Sequence, residues 1–328
     1  MHALPGVRTD KNDASILREL GPFELEEINM RVFVTGATGF IGSYLVPELI
    51  DAGHHVLGLS RSDAGADKLT RAGAEVIRGD VNDLDRLRSA AEAADGVVHT
   101  AFSHDFSKLK QHSEEDRKVI ETLGEVLLGS DRPLVIASGT GLVDRTKTRG
   151  PATEADDPVS SAAFPRAATE EAAGTLIAKG GHVIVMRLSQ VHDTRHQGRI
   201  AQHIQLARQK GWVAYVGEGE NRLSAVHVSD CTRLFRLALE KGQAGARYHA
   251  VGEEGVAMRD IAEVIGAGLK VPVKSIAPEE APEYFGWIAG LAAIDLAASS
   301  VLTRRELGWD PTGPGLLSDL RNMDYAVG

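Results

Sequence analysis

The segment Thr35, Gly36, Ala37, Thr38, Gly39, Phe40, Ile41, Gly42 places three glycines at GxxGxxG spacing, and its neighbours fix what it can be. An apolar, β-branched run, Arg31 to Thr35, leads into it, and Phe40, Ile41, Leu45, Val46, Leu49 and Ile50 follow at helical spacing. The periodicity predicts a helix over Phe40 to Asp51, with Gly53 where a helix C-cap belongs. A second apolar run begins 13 residues after Gly42, at His55. Strand, glycine turn, helix and strand in this order read as a βαβ unit of the kind that holds a dinucleotide. Gly36 allows the tight bend, Gly39 lets the backbone approach a pyrophosphate, and Gly42 lets the helix lie close on the sheet. The phosphate then sits at the positive end of the helix. Gly36, Thr38, Gly39, Phe40, Ile41 and Gly42 are therefore the first candidate cofactor residues.

The same alternation repeats along the chain. Strand candidates are Arg31 to Thr35, His55 to Leu59, Glu75 to Arg78, Gly96 to Thr100, Pro133 to Ala137 and His182 to Arg187, with amphipathic segments between them. Right-handed crossovers between parallel strands put helices on both faces. The expected fold is α/β, a doubly wound parallel sheet of Rossmann type over residues 30–190. Beyond about Val191 the alternation gives way to helices at Ile200 to Lys210 and Arg259 to Leu269, and to a strand-then-helix stretch from Ala225 to Lys241. Residues 191–328 read as a smaller α+β substrate region, with some segments returning to the Rossmann core. The charges of Arg233, Arg236, Glu240 and Lys241 read as solvated helix surface. Residues 1–29, polar and acidic and ending just before Met30, read as an N-terminal extension outside the catalytic fold.

Composition narrows the partners. With 36 basic against 46 acidic residues the net charge is −10, which disfavours a phosphate backbone, so no nucleic acid is expected. The most apolar later stretch, Trp287 to Ile294, is bounded by Glu283 and Asp295 and falls far short of the roughly 20 residues a membrane span needs. The first residues lack the basic start and apolar run of an export signal. The single cysteine, Cys231, forms no internal disulfide and suits a reducing cytoplasm. These features together describe a cytoplasmic protein with a small-molecule substrate.

The motif TGATGFIG also resembles the cofactor turn of the extended and atypical short-chain dehydrogenases/reductases, the NAD-dependent epimerase/dehydratase family. The likeness runs over most of residues 30–320: AVHVSD (Ala225 to Asp230) and LGWDPTGPGLLSDL (Leu307 to Leu320) are similar to C-terminal signatures of that family. It implies a homodimer, an adenine contact at Asp80 with Val81 beside it, and a cofactor groove lined by Thr100, Ala101 and Phe102, with Val191 as a further wall residue. NAD users of the family carry an acid at the end of the second strand, where this chain has Ser60 and Arg61. A hydroxyl and a guanidinium suit a 2′-phosphate, which an acid would repel. NADP(H) is thus the preferred cofactor and NAD(H) the alternative.

The catalytic side departs from the resemblance. The family's Ser/Thr position falls on Thr140, with Ser138 two residues earlier, but its YxxxK pair aligns with Phe164 and Ala168. Phenylalanine and alanine can neither carry a proton nor hold a ribose. Three explanations stand open: another residue donates the proton, the register is shifted, or the protein is a cofactor-binding sensor without turnover. The first replacement donor is His104, beside Asp105 in the loop after the fourth strand; the second is His192 in RLSQVHD. No third ligand accompanies His192 and His196, so no metal is expected. Glu170 and Glu171, on an alanine-rich helix, read as solvated charge. By resemblance Arg222 and His227 neighbour the substrate, while Tyr284, Phe285 and Trp287 read as core rather than as a pocket cap. The resulting expectation is an NAD(P)-dependent oxidoreductase acting on a carbonyl or alcohol of a small organic molecule, with a sensor or a nucleotide-sugar epimerase/dehydratase as alternatives.

Overall fold

The computed structural model describes residues 29–103, 105–147 and 149–326. In chain order its elements are β1 (Arg31–Thr35), α1 (Phe40–Asp51), β2 (His55–Ser60), α2 (Asp63–Arg71), β3 (Glu75–Arg78), α3 (Leu84–Glu92), β4 (Gly96–His99), α4 (Leu109–Leu127), β5 (Leu134–Gly139), α5 (Ala168–Ala178), β6 (Val183–Leu188) and β7 (Gln190–His192). There follow α6 (Ile200–Lys210), β8 (Val213–Val216), β9 (Arg222–His227), α7 (Val228–Lys241), β10 (Arg247–Ala250), β11 (Glu253–Ala257), α8 (Met258–Leu269), β12 (Val273–Ile276), α9 (Ala281–Phe285), α10 (Ala289–Ala292), α11 (Val301–Leu307) and α12 (Leu316–Asn322).

Seven strands form one sheet in the order β10, β6, β5, β4, β1, β2, β3, and every pairing in it is parallel. Side-chain alternation along β1 shows how the sheet is buried on both faces. Val32 and Val34 enter a core shared with Leu45 and Leu49 of α1 and Phe235 of α7, whereas Phe33 enters the opposite core with Leu87 of α3 and Ile120 and Leu123 of α4. Both faces covered is the condition a parallel sheet requires. A third core, around Ile204, Leu223, Ile261, Leu316 and Leu320, joins α6, α8 and α12 to the small sheet of β11, β9 and β7.

The doubly wound sheet agrees with the sequence expectation, and α1 and α6 have the expected bounds. Three details differ. The seventh strand, β10, was not among the strand candidates; it completes the sheet edge beside β6. β4 ends at His99, and Thr100 lies just past it, donating to the Thr35 carbonyl through both its backbone N–H at 3.3 Å and its Oγ1 at 2.8 Å. The charged face of α7 is not simply solvated: Arg236 pairs with Glu48 of α1 at 2.8 Å and with Glu240 at 2.9 Å, sealing the helices together. Among the described residues no helix is long and apolar enough to cross a membrane. Residues 1–28, most of the expected extension, lie outside the described residues.

Strand order reverses between β1 and β4, so their carboxyl ends border the crevice where ligands of doubly wound sheets bind. The glycine turn after β1 and the segment Thr100 to Phe102 after β4 are the two lips of that crevice.

Candidate functional site

The glycine turn is built so that only glycine fits at two of its positions. Gly36 has φ +69°, and a Cβ there would stand 2.7 Å from Ala101 N and from Thr100 Oγ1. A Cβ on Gly42 would stand 2.1 Å from the Gly36 carbonyl oxygen. Gly39, by contrast, meets only that oxygen, at 3.2 Å, and otherwise faces the crevice. It is the N-cap of α1 and offers no side-chain cap, so the first N–H groups of the helix are left for a ligand. A narrow bend, an uncapped helix start and an open glycine fit the pyrophosphate of a dinucleotide. Phe40 stacks on His196 at 4.6 Å and meets Tyr44 edge-on at 6.0 Å. Tyr44 in turn donates to Asp193 at 2.8 Å, which ties the turn to the loop after β7. Ile41 packs partly buried against the core on the same side.

At the end of β2 the structure gathers Thr38, Ser60, Arg61 and Asp80. Ser60 is buried and its Oγ donates to the Ser62 carbonyl at 3.1 Å. A Cβ on Gly65 would lie 2.4 Å from Ser60 Oγ and 3.1 Å from Thr38 Cγ2, so these residues share one surface. Arg61 is largely exposed, and its guanidinium stands 3.6 Å from Asp80. Only the pairing of β2 with β3 brings Asp80, 19 residues further along the chain, to face this arginine. Asp80 also accepts from the Asn82 backbone and side chain at 2.9 Å each, while Val81 packs against the core beneath.

Behind Thr100, Ala101 and Phe102 lies a buried polar network that sequence reasoning missed. His99 bonds Thr35 Oγ1 at 2.6 Å through Nδ1 and Asp116 of α4 at 2.9 Å through Nε2. Asp116 also accepts from Arg166 at 2.9 Å and Thr169 at 2.5 Å. Burial alone would raise the Asp116 pKa, but Arg166, His99 and Thr169 together hold it below the usual carboxylate range. Arg166 donates onward to the Ala137 carbonyl at 3.1 Å and covers the Phe102 ring at 3.9 Å.

The candidate catalytic residues are distributed unevenly around this crevice. Thr140 Oγ1 donates to the Leu188 carbonyl at 3.3 Å and lies 3.4 Å from Ser224 Oγ, a hydroxyl the sequence reading did not single out. Ser138 donates to Glu170 at 2.6 Å, and Glu170 is bound at both carboxylate oxygens by Arg187, at 2.9 and 2.8 Å. Glu170 is 6% exposed and Arg187 0%, so the expectation of solvated charge on α5 is corrected. Glu171 likewise accepts from Arg117 at 2.6 Å and from the Ser161 backbone at 2.7 Å. Phe164 lies at the surface and Ala168 is fully buried at the start of α5. The cation this segment offers the sheet is Arg166.

His104 lies outside the described residues; its neighbour Asp105 is exposed and accepts from Ser107 at 3.1 Å. Val191 packs with Val226 in the core beneath the main sheet. His192, on the opposite face of β7, is fully buried with Nδ1 2.7 Å from Asp319 of α12. Burial lowers its pKa despite Asp319, and its Nε2 has no partner among the described residues. The structure therefore brings His192 to α12 and not to Thr140. Arg222 is held by Asp295 at 2.8 Å, and His227 caps α7 by accepting from the Ser229 backbone. Tyr284 and Phe285 pack with Val216 and Ile276, with the Tyr284 hydroxyl on the Trp212 carbonyl at 2.7 Å.

A glycine turn at the switch point of a seven-stranded parallel sheet defines the chain as a Rossmann-type α/β protein. The sequence model of the NAD dependent epimerase/dehydratase family matches residues 32–251, and the chain belongs to that family. It is 42% identical over 297 residues to an uncharacterized protein of Schizosaccharomyces pombe, covering 90% of this chain and 100% of that one. A sterol-4-alpha-carboxylate 3-dehydrogenase (decarboxylating) of Dictyostelium discoideum is 28% identical over 246 residues, covering 70% of this chain and 73% of the relative. Among solved structures, UDP-glucose 4-epimerase of Thermotoga maritima superposes with a TM-score of 0.70 at 20% identity, covering 90% of this chain and 97% of that one.

Proposed function

We propose that the protein is an NADP(H)-preferring reductase or dehydrogenase acting on a carbonyl or alcohol of a small organic molecule. The observation that carries the cofactor preference is the end of β2, where a buried hydroxyl, Ser60, and an exposed guanidinium, Arg61, stand in place of an acid. A guanidinium presents a charge-assisted fork to a 2′-phosphate, whereas a carboxylate there would repel it. Asp80 is close enough to engage Arg61, yet the arginine is exposed enough to turn toward a phosphate. When bound, the dinucleotide supplies or accepts the hydride. Thr140 offers the substrate oxygen a hydroxyl, with Ser224 beside it. The similarity to a sterol carboxylate dehydrogenase supports carbonyl and alcohol chemistry.

Two measurements test this. The first titrates NADPH and NADH into the protein and into Arg61→Ala. The variant is expected to lose affinity for NADPH by on the order of tenfold or more, the worth of a charge-assisted bond, and to bind NADH nearly unchanged. Equal loss for both would overturn the preference. The second follows NADPH absorbance with a panel of aldehydes and ketones. Tight binding without turnover across the panel would favour a redox sensor, a reading that surface Phe164 and buried Ala168 also support. Interconversion of nucleotide sugars without net oxidation would instead favour an epimerase, as in the Thermotoga protein.

A further inference from the structure

A cavity of about 520 Å³, counting its mouth to solvent, lies between α6, β9 and residues 288–296. Its walls are mostly apolar: Leu223, Met258, Ile288, Leu291, Ile294 and Leu296. Three basic side chains reach it, Arg199, His203 and Arg222. Arg222 is neutralised by Asp295, which it grips at 2.8 and 3.2 Å. His203 stands one turn after Arg199 on α6, and burial, helped by Arg199, pulls its pKa down to about 4, so it is neutral at pH 7. Arg199 differs from both. Its backbone N–H is anchored on Gln190 Oε1 at 3.1 Å, but its side chain has no acidic partner among the described residues.

A guanidinium set in an apolar cavity without a counter-charge is costly, and an incoming anion offsets that cost. The free charge is one, not two. A planar fork with one unit of charge matches a carboxylate, while a phosphate dianion calls for a second positive charge, and that of Arg222 is already taken by Asp295. We propose that this cavity binds a small organic carboxylate, its acid on Arg199 and its apolar body against Leu223, Met258 and Leu291. Leu223 lines the cavity from one face of β9, and Ser224, on the opposite face, lies 3.4 Å from the Thr140 hydroxyl, so one strand separates the cavity from the candidate catalytic threonine. That the carboxylate is the acid end of the substrate rests on the reductase reading; the binding itself does not.

The test is calorimetric titration of the full chain with benzoate and hexanoate, against benzamide, hexanamide and inorganic phosphate. The acids are expected to bind and the amides to bind weaker by on the order of tenfold to a hundredfold, the range for a hydrogen bond to a charged group. Arg199→Met should abolish the difference between acid and amide while keeping the fold, since it removes a partly buried charge that has no acidic partner among the described residues. Leu291→Trp, which fills the cavity and leaves Arg199 in place, should weaken acid binding as well. Amides binding as well as acids, phosphate binding better than either acid, or unchanged acid binding in Arg199→Met would each overturn the proposal. NADPH titration of the same proteins separates the two readings. Acid binding without NADPH binding sinks the reductase and spares the cavity, and NADPH binding without acid binding does the reverse.

Discussion

Alanine at Gly39 and alanine at Gly42 should fail in different ways. At Gly42 the new Cβ would lie 2.1 Å from the Gly36 carbonyl oxygen and 2.7 Å from Ala37 Cα, both backbone atoms that cannot rotate aside. Restoring ordinary contact moves α1 off the sheet by roughly 1 Å, an overpacking that costs about 1–3 kcal/mol. For a chain of this size that lowers Tm by about 2–4 °C per kcal/mol. At Gly39 the backbone is extended, φ −76° and ψ −178°, which alanine adopts without strain. Its Cβ would meet only the Gly36 oxygen, at 3.2 Å, a contact a few tenths of an ångström tight. That small cost is offset by the about 0.4–1 kcal/mol that alanine gains over glycine through the unfolded chain. Gly39→Ala should therefore melt near the parent yet lose dinucleotide affinity by tenfold or more (about 1.4 kcal/mol), because its methyl occupies the approach to the helix start. Thermal melting and NADPH titration of both variants check this. Unchanged NADPH binding in Gly39→Ala would refute the placement of the pyrophosphate at this turn.

Two further expectations concern the buried charges. Glu170→Gln leaves fully buried Arg187 without its counter-charge and should cost about 3–5 kcal/mol in urea unfolding, most of it regained in the double variant Glu170→Gln, Arg187→Met; a loss under about 1 kcal/mol would show the pair to be dispensable. Stability should also fall with acid well above the carboxylate range. Burial, aided by Arg187, holds the His249 pKa at about 3, against an ordinary 6.5. Between those values the unfolded chain binds a proton at this site that the folded chain refuses, so below pH 6.5 His249 alone removes about 1.4 kcal/mol per pH unit, and buried His203, held at about 4, adds to the slope in the same direction. Urea midpoints at pH 7.5 and 5.5 measure the slope, and His249→Gln should flatten it by about one proton.

Local pattern sufficed for the elements whose burial repeats along the chain. Helix α1 has the bounds its apolar spacing implies, and β1 is a continuous apolar run because both of its faces are covered. It failed where a neighbour supplies the reason. β10 is four residues, Arg247 to Ala250, with no period to read; it is a strand because β6 presents a free parallel edge. Glu170 sits on an alanine-rich helix like any surface glutamate, and only the fold carries Arg187 to it from β6. His192 follows a strand end, as a cofactor-side residue would, but side chains alternate along β7. With Val191 facing the main core, His192 must face α12.

The glycine cradle and the wall that carries Thr140 stand on different elements, and this is why one can keep the family pattern while the other departs from it. The turn depends on β1, α1 and the lip after β4, where any side chain at Gly36 or Gly42 strikes backbone. The wall depends on β5 and the start of α5. There the ionisable groups are already committed: Arg166 to Asp116, and Glu170 to Arg187 and Ser138. A tyrosine or lysine introduced at Phe164 or Ala168 would not by itself rebuild a proton donor, because Ala168 is fully buried and Arg166 already covers Phe102. Of the hydroxyls on this wall, Thr140 is the one that no carboxylate holds: its partners are the Leu188 carbonyl and Ser224. Thr140→Val is therefore expected to lower turnover with the carbonyl panel by about tenfold or more while leaving NADPH affinity unchanged, and equal turnover in the variant would remove this threonine from the proposed chemistry.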